Sequence, residues 1–243
     1  MNILGKRKIW YTISLVVLGI GLLFLLINGL NFGIDFTGGT LLQFQFENKV
    51  SNEEVRDVLS QFNIGEESKI QQISEDDLNG VIIRTRSLDS EEISGINDAL
   101  KQEFSSTNML KTKMVGPLIG QELRTMALWA LVVASIAIVL YISIRFEFRF
   151  AIVAIITLLH DVFITLGIFA MLGKEINTPF VAALLTIIGY SINDTIVIFD
   201  RIRENMKLMN RSSFIELANQ AVLDTLPRSI NTSLTTLITI LAI

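Results

Sequence analysis

The sequence contains no cysteine, so neither a disulfide framework nor a thiolate metal site is available. It contains one histidine, His160, and one imidazole makes no metal centre. No G-x-x-x-x-G-K-[ST] loop is present, which rules out ATP-driven work by that route. H-E-x-x-H, a nucleophile elbow and a Gly-x-Gly-x-x-Gly turn are missing as well, so no enzymatic activity and no cofactor are expected. Long low-complexity segments are absent. Charge is missing from whole stretches of the chain. Ile9 to Leu30 and Thr125 to Ile144 carry none, Phe150 to Gly173 is interrupted only by His160 and Asp161, and Ile176 to Phe199 only by Asp194.

What is present is apolar. Hydrophobic residues make up 51% of 243 and the mean hydropathy is +0.54, above the range of soluble domains of this length. Each charge-free block reaches the ~20 residues a bilayer core requires. Ser229 to Ile243 is a fifth run that covers only about 22 Å of a core about 30 Å thick. The sequence therefore predicts spans at 9–30, 123–144, 150–172 and 178–199, with a fifth over 228–243 that is cut short. Residues 1–8 form a cytoplasmic terminus. Lys6, Arg7 and Lys8 precede too long an apolar run for a signal peptide, and no A-x-A-like site follows it, so an uncleaved anchor is expected.

Charge is distributed unevenly. From Asn31 to Glu122 there are 16 acidic against 8 basic residues, whereas the remainder has 8 acidic and 12 basic. The basic excess flanks helix ends at Arg145 and Arg149, and at Arg201, Arg203, Lys207 and Arg211. By the positive-inside rule those loops are cytoplasmic. The acidic segment and the short loop from Gly173 to Thr178 then lie outside.

Residues 31–122 read as an extracytoplasmic α+β domain. Thr40 to Phe46, Ile70 to Ile73, Val81 to Thr85 and Met109 to Val115 are strand-like, and an acidic turn at Glu75-Asp76-Asp77 separates the middle two. Ser51-x-x-Glu54 has capping-box spacing for a helix reaching Phe62. Asp89 is placed to cap a second helix from Ser90 to Phe104, striped by Ile93, Ile96 and Leu100. The order βαββαβ is that of a ferredoxin-like domain. In the cytoplasm, residues 200–227 are expected to form an amphipathic helix at the membrane surface.

Polar groups inside the spans are the candidates for function, because a carboxylate in hydrocarbon costs several kcal/mol unless paired, wet or protonated. Asp194 lies about 9 Å inside the cytoplasmic end of its helix and continues a stripe through Thr186 and Tyr190. Arg228 opens the fifth helix at a similar level, on a face continued by Asn231, Thr235 and Thr239. Asp161, about 16 Å from Phe150, lies between Thr157 and Thr165, with His160 as a candidate partner. Each has a plainer alternative. Asp194 and Arg228 fit a static ion pair, Arg228 fits a snorkelling anchor, His160 fits packing, and the hydroxyls fit bonds to the preceding turn.

Four segments resemble the SecD/SecF family of bacterial protein-export membrane proteins, part of the RND superfamily, on its SecF side. They are Gly33-Ile34-Asp35-Phe36-Thr37-Gly38-Gly39, Val115 to Leu123, Ala183 to Thr195 with its continuation to Asn205, and Leu226 to Ser233. The resemblance implies a six-helix subunit of the bacterial cytoplasmic membrane that pairs with SecD, associates with the SecYEG channel and promotes preprotein translocation with the proton-motive force. It implies a proton relay at Asp194 and Arg228 with a further aspartate supplied by SecD, and a family motif at Gly33, Asp35, Gly38 and Gly39; the sixth helix of that subunit is missing here. The intramembrane residues themselves add Asp161 as a further relay candidate. Membrane lipid is the expected surrounding and no nucleic-acid partner is implied. Two other functions fit less well. An RND half-transporter for small molecules or lipids needs larger outer domains, and a scaffold for the translocon would use Asp194 only as a static ion-pair member.

Overall fold

The computed structural model describes residues 2–75, 78–104, 106–146, 148–208 and 213–241. Eight helices and six strands are present among them. In chain order they are α1 (Arg7–Asn28), β1 (Asn31–Phe32), α2 (Ile34–Thr37), β2 (Gly39–Phe46), α3 (Asn52–Ser60), β3 (Lys69–Glu75) and β4 (Leu78–Thr85). Then follow α4 (Ser90–Glu103), β5 (Asn108–Val115), α5 (Pro117–Arg145), α6 (Phe148–Met171), β6 (Glu175–Ile176), α7 (Thr178–Leu208) and α8 (Phe214–Leu241). They fall into two compact units, one of Met1–Asn31, Leu131–Lys174 and Pro179–Ile243, the other of Phe32–Ala130 and Glu175–Thr178.

The first unit is helical. Among the described residues four helices are long and apolar enough to cross a membrane: Leu4–Asn28, Pro117–Arg145, Phe148–Met171 and Thr178–Lys207. Small residues bring α1 and α6 together, since a Cβ on Gly21 would lie 3.1 Å from the Gly167 Cα. Without a hydrophobic drive between helices in lipid, such close backbone approach supplies the attraction. Ser14, Gly21 and Asn28 recur every seven residues along α1 and meet His160, Gly167 and Ala170 respectively. The two helices therefore run parallel. A second cluster joins Ile142 and Phe146 of the α5 end to Ala151, Ala154, Phe199, Ile202, Ala218 and Ala221, and the Phe150 and Phe199 rings lie 4.9 Å apart.

The region after Asp200 differs from the single amphipathic helix expected over 200–227. α7 continues to Leu208 and carries Arg201, Arg203 and Lys207 with it. α8 begins at Phe214, where Ser213 and Glu216 exchange side-chain-to-backbone bonds of 3.0 and 3.3 Å, and it continues through Pro227 to Leu241. Proline removes one backbone donor and presses on the preceding turn. Buried Leu217, Ala218, Ala221 and Thr225 anchor the helix on the N-terminal side of that defect. Arg211 and Ile243 lie outside the described residues.

The second unit is built on a four-stranded antiparallel sheet of order β3-β4-β2-β5. The chain visits it as strand, helix, two strands, helix, strand. Alternation in β2 turns Leu42, Phe44 and Phe46 towards α3 and α4, where Val55, Val58, Leu59, Ile96 and Leu100 complete a core that excludes water. Both helices open on full capping boxes. Ser51 Oγ accepts from Glu54 N–H at 3.2 Å and Glu54 accepts from Ser51 N–H at 2.7 Å. Asp89 and Glu92 reciprocate at 2.8 and 3.0 Å. β3 and β4 pair as far as Glu75 and Leu78, so Glu75 belongs to a strand, while the rest of the expected acidic turn, Asp76 and Asp77, lies outside the described residues.

Candidate functional site

The glycine motif is a junction within the second unit. Gly33 N–H donates to Ile176 carbonyl at 2.9 Å, where β1 meets β6. The chain then makes the single turn α2 and leaves it through Gly38 and Gly39, at φ +73° and +123°. A side chain is strained at either angle, and at Gly38 it would also meet Pro117 Cα at 3.0 Å. α2 buries Asp35, whose Oδ1 takes a 2.5 Å ion pair from Lys113 on β5 and whose Oδ2 accepts from Thr178 N–H at 3.1 Å. Burial opposes ionisation of this carboxyl, but the Lys113 ammonium and the Thr178 backbone and hydroxyl outweigh it and hold Asp35 below the usual carboxylate range. Beside it Arg84 and Glu175 pair at 2.5 Å. Asp35 thus caps the loop at the start of α7. Its two partners are 78 and 143 residues away, and no local pattern announces them.

Among the intramembrane candidates, Asp194 is half-buried and lines an open groove of about 410 Å³ with Tyr190, Ser191, Thr232, Ser233 and Thr236 of α7 and α8. Arg228 is exposed and borders an adjoining groove that shares Tyr190, Thr232 and Thr236. Arg228 also reaches a polar recess with Asp200, Glu204 and Asp224. Among the described residues no ion pair within 4.0 Å joins Asp194 to Arg228. The two share neighbouring walls and do not touch. The charged partners at this end are arranged differently: Arg201 holds Asp224 at 2.6 Å and Glu204 at 2.7 Å, while Arg145 approaches Asp200 at 3.4 Å.

Asp161 has the partners that Asp194 lacks. His160 Nδ1 lies 2.8 Å from its Oδ1, and Ser191 Oγ donates to its Oδ2 at 2.6 Å. The far ring nitrogen of His160 bonds the Ser14 hydroxyl of α1. No local pattern in the sequence marks Ser14 or Ser191 as partners of this couple. Most hydroxyls of those stripes bond the carbonyl four residues back: Thr157 to Val153, Thr165 to Asp161, Thr186 to Ala182, Thr232 to Arg228 and Thr235 to Asn231. For these the plain reading is sufficient. No group of three or more metal-ligating side chains occurs among the described residues.

Helices long and apolar enough to cross a membrane, a separate α+β unit, and a half-buried carboxylate, Asp194, that lines an open groove define a multi-pass membrane protein. Comparison narrows this class. Residues 95–243 match the family described as protein export membrane protein SecD/SecF, C-terminal, and residues 23–50 match the SecD/SecF GG motif. The protein translocase subunit SecF of Sebaldella termitidis is 40% identical over 245 residues, which cover 100% of this chain and 80% of the relative. The protein translocase subunit SecDF of Bacillus subtilis is 37% identical over 242 residues, 98% of this chain and 32% of that protein. The crystal structure of SecDF from Thermus thermophilus, a translocon-associated membrane protein, superposes with a TM-score of 0.90 at 37% identity and covers 100% of this chain. The chain belongs to the SecD/SecF family, on its SecF side. It spans about a third of the SecDF chain to which it is similar in structure.

Proposed function

We infer that this chain serves as the SecF-type subunit of a protein translocase, pairs with SecD, and works beside a SecYEG channel on preproteins in transit. The inference extends to the bacterial cytoplasmic membrane with the N-terminus inside, to a fifth span over 228–243, and to a ferredoxin-like outer domain. The SecDF relatives, in which one chain carries both parts, support the SecD pairing. The strand order β3-β4-β2-β5 supports the domain class, and the basic helix flanks support the orientation.

The driving force in this reading is the proton gradient, taken up at Asp194. The observation that carries it is a half-buried carboxylate that lines an open groove beside Ser191, Thr232, Ser233 and Thr236, with no ion-pair partner among the described residues. A carboxylate so placed can alternate between charged and neutral forms, whereas a tightly paired one is held ionised. Arg228 remains charged throughout. It borders the adjoining groove and does not itself carry the proton. The absence of an Asp194–Arg228 ion pair within 4.0 Å among the described residues supports this reading over a static pair.

Asp194→Asn preserves size and hydrogen bonding but removes titration. The variant is expected to co-purify with SecD and SecYEG and to lose most gradient-dependent translocation, by about a hundredfold if the proton-transfer step is limiting. Asp194→Glu is expected to retain part of the activity. The measurement is export into inverted vesicles holding equal amounts of assembled complex under an imposed proton gradient. Parental export by the Asn variant would refute the relay.

A further inference from the structure

The sequence offers His160 as a partner for Asp161 or as a packing residue, and it sits in a continuous hydrogen-bonded series across three helices of the first unit. Ser14 on α1 bonds its Nε2, its Nδ1 faces Asp161 at 2.8 Å on α6, and Asp161 accepts from Ser191 on α7 at 2.6 Å. Ser191 also lines the groove that holds Asp194. We propose that His160 and Asp161, bracketed by Ser14 and Ser191, form a second proton-holding couple linked to the Asp194 groove.

The proton bookkeeping follows from donor and acceptor identities. In the unloaded couple Asp161 is a carboxylate, and the neutral ring carries its hydrogen on Nδ1 and donates it to Oδ1. The Nε2 lone pair then accepts from the Ser14 hydroxyl, while Ser191 donates to Oδ2. One added proton binds Nε2. The Ser14 hydroxyl rotates from donor to acceptor, no heavy atom need move, and the net charge of the couple passes from −1 to zero. Loading therefore removes net charge from a low-dielectric site, where charge is costly, without breaking the series. Serine suits both flanking positions because a hydroxyl donates or accepts according to rotation.

The helices around α6 add few titratable groups in their apolar stretches. These are Tyr11 on α1, Tyr141 on α5, and Tyr190 and Asp194 on α7, with none on α8 beyond Arg228. Asp194 is the one carboxylate among them, and Ser191 is one helical turn from it on α7. A proton on the His160–Asp161 couple removes a negative charge one hydrogen bond away from Ser191, which lines the Asp194 groove.

The proposal rests on the translocase reading, and its test separates the two. His160 is the only histidine, so ¹⁵N-histidine labelling reports a single ring. In the unaltered protein in lipid nanodiscs, spectra taken over a range of pH are expected to show the Nδ1–H tautomer before loading and the imidazolium after it. A ring that stays neutral throughout, or an Nε2–H tautomer at the upper pH, overturns the proposal. This readout does not depend on export. In the assembled complex, His160→Gln is expected to lower gradient-driven export at least about tenfold and to flatten its pH profile. Parental rate and profile in that variant also overturn it. If Asp194→Asn abolishes export while His160→Gln changes nothing, the translocase relay stands and the second couple falls. If the ring titrates as expected while Asp194→Asn exports normally, the couple stands and the relay reading falls. The spectrum of the unaltered protein decides the matter even if His160→Gln fails to assemble.

Discussion

Asp35 is a buried carboxylate held ionised by three donors: the Lys113 ammonium, and the Thr178 N–H and hydroxyl. Its value in the folded chain lies below its unfolded one, which sets the sign of its pH dependence. The stabilisation is complete above the unfolded value of about 3.9 and is lost as pH falls through the depressed folded value. Asp35→Asn keeps the volume but loses the ion pair, so a cost of about 1–3 kcal/mol is expected at pH 7. The difference from the parent should shrink as the pH is taken below about 4. Thermal melts of both proteins at pH 7 and in acid check this, and an equal difference at both would remove Asp35 from the account. The same side chain illustrates what spacing cannot tell. A carboxylate between glycines reads as a loop cap, and only folding brings Lys113 to it.

At the scale of elements, the two capping boxes were legible because their information is local. Ser51 and Glu54, like Asp89 and Glu92, are three residues apart, and a helix of any tertiary context brings them together. Ser51→Ala and Asp89→Ala are each expected to destabilise the domain by about 1 kcal/mol. Their effects should add, since they cap different helices. Urea unfolding of a soluble fragment spanning Thr40 to Val115 measures both. That fragment is expected to show a cooperative transition, because Leu42, Phe44, Val55, Leu59, Ile83, Ile96 and Leu100 form its core. A random-coil spectrum would contradict the assignment of an independent unit. The segment after Asp200 was less legible. Its charges suggested one surface helix ending before Pro227, whereas α7 carries the first basic residues onward and α8 passes through the proline. Apolar contacts at Leu217, Ala218 and Ala221 decide the course of that helix, and propensity sums do not include them.

For the whole molecule the clearest expectation is topology. Lys174 follows α6 and Lys207 lies near the end of α7, so they fall on opposite faces of the membrane if α7 spans it. Cysteine placed singly at either site has no native thiol to compete with it. An impermeant maleimide added to intact cells is expected to label position 174 and spare position 207. The reverse pattern would invert the orientation. The spans themselves were written in the chain, because twenty uncharged residues dictate burial in hydrocarbon whatever their neighbours are. The strands and caps of the second unit were likewise readable from period-two alternation and from three-residue spacings. The pairing of Asp35 with Lys113, the meeting of Ser14 with His160 across 146 residues, and the separation of Asp194 from Arg228 were decided only in three dimensions. A hydrophobic run or a cap is determined by residues within a turn or two of each other, whereas the rotation and depth of one helix against another depend on which small residues, such as Gly21 and Gly167, allow two backbones to touch.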